Sequence, residues 1–438
     1  MLHSYEGLDR PGGYSRVRLF APLRHRDFRL LWSGLCVSLL GDGVFTVAMA
    51  WQVYALSNAP TAMAVVGIAM TVPTIAFLLL GGVVSDRTDR RKVMLAADVG
   101  RGLAVGLMAV LSLTGLLELW HVVALVAVYG AGTAFFGPAF DAIVPEVLPA
   151  GELGQANALD QFVRPIALRL VGPAAGGFLI DAIGVGAAFA VDAVTFALSA
   201  AALLAMSPRR REVPTVRVSV VHDIRTGWAY IRRHAWLWAT FAGAALAYLL
   251  FQGPADVLLP LLVKQELGGS ASDLGLVFAA GGVGSVAVAV LMGQRGMPRR
   301  DITFMYATWA LATLSVAGYG MASAIWHLML ASLAFNALET AGTIVWATVK
   351  QQHVPTALLG RVSSLDWLIS IGLLPLSFAL TGPVSAVLGI QATLIGAGVI
   401  GAVVTFATLF VPGMRDVEGR PGPAAERGVP GTVRPATA

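Results

Sequence analysis

Apolar stretches of about 20 residues, long enough to cross the hydrocarbon layer of a bilayer, recur along this chain and restrict its fold more than any other feature. Hydrophobic residues make up 57% of the 438 positions and charged residues only 13%, too little charge to cover a soluble domain of this size. The 49 glycines, many inside the apolar runs, suit membrane helices, whose backbones approach closely through small residues. An all-α membrane protein is the fold class that follows.

The breaks between runs place twelve helices, near Phe28–Leu56, Thr61–Ser85, Lys92–Leu116, His121–Ile143, Ala156–Ile180 and Gly186–Met206, then Trp236–Val263, Asp273–Met292, Asp301–Met321, Trp326–Val349, Val362–Val387 and Ile390–Phe410. Five parts result: an N-terminal arm (1–27), a first six-helix bundle (28–206), a basic linker (207–235), a second bundle (236–411) and a Pro/Gly/Ala-rich tail (412–438) read as unstructured. The arm has no short apolar core with a small-residue cleavage site behind it, so no removable signal peptide is expected.

Lys and Arg set the orientation. With both termini in the cytoplasm, 25 of the 30 Lys and Arg fall in inward-facing segments, and only Lys264 in an outward one. The formal net charge of +5 therefore reports topology, and nucleic acid is not implied.

The chain also repeats itself. Pro149, Leu153, Gly154, Leu159 and Asp160 recur as Pro355, Leu359, Gly360, Leu365 and Asp366, and Gly172-Pro173 is answered by Gly382-Pro383 slightly out of step. The fifth run thus matches the eleventh. Two parallel six-helix halves joined by a loop are the architecture of a rocking transporter with its site between them.

After the second run stands Gly81-Gly82-Val83-Val84-Ser85-Asp86-Arg87-Thr88-Asp89-Arg90-Arg91-Lys92, and the fifth carries Gly172-Pro173-Ala174-Ala175-Gly176-Gly177. The first resembles the 2–3 loop signature of the major facilitator superfamily, and the second the antiporter signature of its drug and siderophore exporters. Phe28-Arg29-Leu30-Leu31-Trp32, Asp98-Val99-Gly100-Arg101 and Val191-Asp192-Ala193-Val194-Thr195-Phe196 resemble the branch of enterobactin exporters and macrolide efflux proteins. The resemblance implies a gate in which Gly82 packs closely, Asp86 faces the start of the eleventh helix near Ser363–Ser364, and Arg90 tethers Asp86, with Arg91, Asp98, Arg101 and Asp366 in the same machinery. It also implies a bend at Pro173 and close crossing at Gly172, Gly176 and Gly177. One departure stands out: the fourth run lacks the mid-helix Arg of many proton antiporters in the superfamily.

Ionisable side chains inside a bilayer cost several kcal/mol and demand a partner, a watery cavity or a role. Asp42, between Gly41 and Gly43, and Glu339 are isolated carboxylates far from any loop, and low dielectric favours the protonated acid that a proton carrier needs. Asp256 lines the outer cavity on this reading. Arg169 balances Asp42 or binds an anionic substrate group, and Asp98 with Arg101, three apart, forms an ion pair near the inner end of the third helix.

Other classes lack their residues. The three lysines, Lys92, Lys264 and Lys350, follow Arg, Val and Val, so no phosphate-binding Gly-Lys exists. One cysteine, Cys36, permits neither an intramolecular disulfide nor a thiolate cluster, and the seven histidines lack metal-ligand spacing. Neither catalytic residues, cofactor nor metal is expected. The reading is a monomeric exporter of a small molecule in the lipid bilayer, with protons as coupling ion; an importer, an uncoupled facilitator and a non-transporting sensor share the fold.

Overall fold

The computed structural model describes residues 20–207 and 220–420, and these are helical with no strand among them. The helices are α1 (Arg26–Leu56), α2 (Pro60–Arg87), α3 (Arg90–Leu113), α4 (Leu119–Val147), α5 (Leu153–Pro165, a π-helical stretch Ile166–Val171, then Gly172–Ile183) and α6 (Val185–Ala205). They continue with α7 (Val220–Arg233), α8 (Ala235–Leu261, extended by a π turn Leu262–Glu266), α9 (Ala271–Arg295), α10 (Asp301–Gly320), α11 (Ile325–His353), α12 (Thr356–Gly372 and Leu374–Leu388) and α13 (Ile390–Thr408). Eleven spans are long and apolar enough to cross a membrane. The one long helix that falls short is α10, whose Thr303, Tyr306, Thr308, Trp309, Thr313 and Ser315 dilute its apolar content, although it packs against α11 and α13 like any other member of the bundle.

Local chemistry sets the ends. Asp89 caps α3 by accepting a bond from Arg91 N at 3.0 Å, and Ser270 and Asp273 form a reciprocal capping box on α9. Gly184 (φ 90°) and Gly389 (φ 84°) turn the chain between α5 and α6 and between α12 and α13, where a side chain would be strained. Both lie at matching points of the repeat.

Helices α1–α6 pack among themselves, as do α8–α13, and the two groups meet mainly where α5 faces α9 and α2 faces α12. The core shows how they are joined. At the end away from the basic loops one apolar cluster runs through both groups, from Phe45, Val53 and Phe189 to Leu258, Leu274 and Phe378. Towards the basic loops it divides in two. One part is built on Phe28, Met94 and Phe140, the other on Trp236, Tyr306 and Trp346. The bundle is therefore sealed at one end and parted at the other.

Two segments differ from the sequence reading. Within the basic linker, α7 is an amphipathic helix that docks on α12 and α8, with Ile231 fully buried and Tyr230 Oη donating to His353 O at 3.3 Å. Residues 412–420, expected to lack structure, form turns against α10: Met414 is buried and Glu418 accepts from Thr303 N at 2.8 Å.

Candidate functional site

Two groups of ionisable side chains within the spans contain the acids singled out from the sequence. In the first, Asp42 of α1 accepts a 2.5 Å hydrogen bond from the Tyr129 hydroxyl of α4, whose ring stacks on Phe45 at 4.6 Å. Behind Tyr129 lies the Asp98–Arg101 pair of α3 at 2.6 Å, with Ser199 Oγ of α6 donating to the other Asp98 oxygen at 2.7 Å. Both residues are almost wholly buried, and the Arg101 guanidinium is sandwiched between Phe136 and Phe196 at 4.6 Å from each ring centre. Burial of an ion pair is tolerated here because hydrogen bonds and aromatic faces replace its lost water.

The pair expected from its three-residue spacing is formed, in the basic-loop half of α3 (Arg90–Leu113) and packed among α3, α4 and α6. Gly132 of α4 makes room for it, since a Cβ there would meet the Arg101 side chain and Ala97 O. Arg101 thus brings to α4 the guanidinium that α4 itself lacks. Asp192 of α6 completes the group: one oxygen accepts from Thr195 at 3.2 Å, and the other is buried with no hydrogen-bond partner.

The second group lies on the seam. Arg169, in the π-helical stretch of α5, donates to Asn336 Oδ1 at 2.9 Å and stands 3.5 Å from Glu339 Oε2, both on α11. Thr343 donates to the other Glu339 oxygen at 2.9 Å. Glu339 is therefore not the isolated carboxylate expected, and Arg169 pairs across the seam with Glu339 and not with Asp42. Close approach of the helices permits this, because Gly282 of α9 lies against the Arg169 backbone. Asp256 of α8, exposed in the structure, accepts from Gln252 at 2.9 Å.

The signature residues divide. In α5, Gly172 lies against Gly43 and Leu40 of α1, Gly176 against Val44, and Gly177 against Ala271 and Ser272 of α9. Pro173 is buried beside Gly43 and Gly275, directly after the π stretch Ile166–Val171. In the 2–3 loop, Gly81 rather than Gly82 makes the close contact, against Ala134 O; a Cβ on Gly82 would meet nothing within 4 Å. Arg91 donates to Leu203 O and Leu204 O at 2.6 and 2.7 Å, capping the end of α6. Arg90 reaches Ala142 O at 2.5 Å and Glu146 at 2.8 Å. The Asp86 side chain lies outside the described residues. Asp366 binds Lys350 at 2.7 Å and Trp346 Nε1 at 2.9 Å, both from α11 of its own group.

Sequence reasoning did not find Tyr129, Asn336 or Ser199. Tyr129 carried a signal, a lone phenol in the middle of an apolar run; the other two are ordinary small polar residues until a charge is placed beside them.

A bundle parted at one end, with charged pairs on its seam and helices crossing on glycines, defines a multi-pass membrane transporter. The chain belongs to the transmembrane secretion effector family of the major facilitator superfamily, whose family model matches residues 17–421. Among its relatives are macrolide efflux protein A of Streptococcus pyogenes (21% identical, covering 81% of this chain and 88% of the relative) and the multidrug efflux pump Tap of Mycolicibacterium fortuitum (25% identical, 86% and 94%). Among solved structures, a bacterial homologue of the iron transporter ferroportin in its inward-facing state has the same fold, with a TM-score of 0.63 at 15% identity over 88% of this chain and 99% of that one.

Proposed function

We propose that the protein is a secondary active exporter in the cytoplasmic membrane that moves a drug-like, antibiotic-like or siderophore-like molecule outward by proton antiport. In this reading twelve helices, α10 included, form two pseudo-symmetric six-helix halves with both termini in the cytoplasm. The observation that carries it is the divided core: among the described residues the buried apolar side chains form one cluster through both groups at one end and two separate clusters at the basic end. With positive residues inside, the parted end opens to the cytoplasm, where a substrate for export enters. The efflux activities of the relatives support the outward direction.

Glu339 is the coupling residue best placed to act. A proton on its carboxylate removes the charge that holds Arg169, loosening α5 from α11 across the seam, and proton loss restores the pair. Substrate in the opening meets Arg169, Asp256 and Glu339 together. The Asp42–Tyr129 and Asp98–Arg101 bonds hold a second protonatable group inside the first half.

Everted vesicles carrying the protein are expected to collapse an imposed pH gradient when substrate is added. Glu339→Gln is expected to abolish that response while substrate still binds. An unchanged response in both Glu339→Gln and Asp42→Asn would remove proton coupling from the reading.

A further inference from the structure

A cavity of about 240 Å³ lies between α1, α4 and α5 within the first group, away from the seam. Its floor is aromatic (Phe28, Trp32 and Phe140) and its rim is polar (Asp141, Asn157 and Asp160). The indole N–H of Trp32 is buried without a hydrogen-bond partner. Asp160 pairs with Arg164 at 2.8 Å, and Arg164 also lies 5.8 Å from the Phe140 ring. Asp141 makes no hydrogen bond or ion pair of its own among the described residues. Two carboxylates and one guanidinium leave the site one negative charge in excess.

The internal repeat supplies the comparison. At an offset of 206, α4 (Leu119–Val147) corresponds end to end with α11 (Ile325–His353), and Asp160 with Asp366. Phe140 then corresponds to Trp346, and Val144 to Lys350. In the second group the place is filled: the Lys350 ammonium sits 2.7 Å from Asp366 and 5.3 Å from the Trp346 ring centre. In the first group the lysine is replaced by Val144, which lines the cavity, and Asp141 stands where the second group has Ala347. Arg164 answers Lys350 as the cation beside Asp160 and the Phe140 ring, so what the first group leaves open is the lysine's volume at Val144 and the additional carboxylate Asp141, which has no counterpart in the second group.

We infer that this cavity is a binding site for an organic ammonium with an apolar stem, held by Asp141 and the aromatic floor as Lys350 is held by Asp366 and Trp346. An ammonium over aromatic rings beside a carboxylate is a favoured arrangement. The volume suits a fragment-sized amine or the ethanolamine headgroup of a lipid, and the unpaired Trp32 donor can serve an oxygen on either. The site concerns binding alone, so its failure would leave the transport reading untouched.

The test uses the full chain in phosphatidylcholine nanodiscs and isothermal titration calorimetry with 2-phenylethylammonium. Binding is expected to weaken about tenfold in Asp141→Asn and against the neutral analogue 2-phenylethanol, as loss of one close charge contact requires. Val144→Lys, which supplies the ammonium from within, is expected to abolish binding. Should that variant fail to fold, Asp141→Asn decides alone. Unchanged affinity in Asp141→Asn, or loss confined to Asp256→Asn, overturns the assignment. Given binding, competition by phosphatidylethanolamine in the nanodisc identifies a lipid headgroup as the occupant, and its absence identifies a soluble amine.

Discussion

Asp181, at the end of α5, accepts hydrogen bonds from the backbone N–H groups of Ser272 at 2.8 Å and Ala271 at 3.2 Å, in the first turn of α9. A carboxylate of one helix group thus caps the positive helix terminus of the other at the sealed end. Release of this contact is a condition for parting the halves there.

Asp181→Ala is therefore expected to favour opening of the sealed end. A partly exposed charge at a helix terminus contributes about 1 kcal/mol, so the ratio of closed to open forms should fall about fivefold. Spin-label distances between the ends of α5 and α9 that meet at the Asp181 contact would register the longer population; an unchanged distribution would show that the latch contributes nothing.

The glycine crossing offers a coarser version of the same experiment. A side chain at Gly177 would collide with Ala271 O and Ser272, and one at Gly275 with Pro173 O. Gly177→Val should keep the protein in the membrane, block tight closure and reduce transport below a tenth of wild type, because backbone contacts cannot yield as a flexible side chain does. Normal transport by this variant would mean that close α5–α9 contact is dispensable.

The Asp98–Arg101 pair should behave as a structural unit. Arg101→Met leaves Asp98 buried without its cation and is expected to cost about 3–5 kcal/mol. Removing both charges in Asp98→Asn/Arg101→Met should recover most of that loss in detergent unfolding. If the double variant is less stable than Arg101→Met alone, the two residues are not coupled in this way.

The seam pair can be tested by exchange. Arg169→Glu with Glu339→Arg preserves attraction across α5 and α11, whereas Arg169→Glu alone sets two carboxylates face to face. Expression and thermal stability should fall in the single variant and be regained in part by the exchange, as read by melting of the purified protein.

How much of this was legible follows the range of each interaction. Helices and their order are legible in the apolar runs and their breaks, and the repeat around Asp160 and Asp366 matches the fifth run with the eleventh. The α7 helix was missed because its arginines read as a linker, although Trp228 and Ile231 fall on one face together with its own small Gly227. Glu339 looked isolated because its partner is on another helix group, 170 positions earlier in the chain. The same is true of Asp181, whose role depends on a helix start that no local pattern connects to it. Gly81 and Gly82 could not be told apart, since only the contact with Ala134 O separates them.

Docking of α7 onto α8 and α12 assigns the connecting segment to one side. The described helices α1–α6 and α7–α13 are then joined through residues 208–219, and a chain severed there would leave every described helix whole on one fragment or the other. Two co-produced polypeptides would meet again through the apolar seal around Phe45 and Leu258, the Asp181 contact with α9 and the Arg169–Glu339 pair.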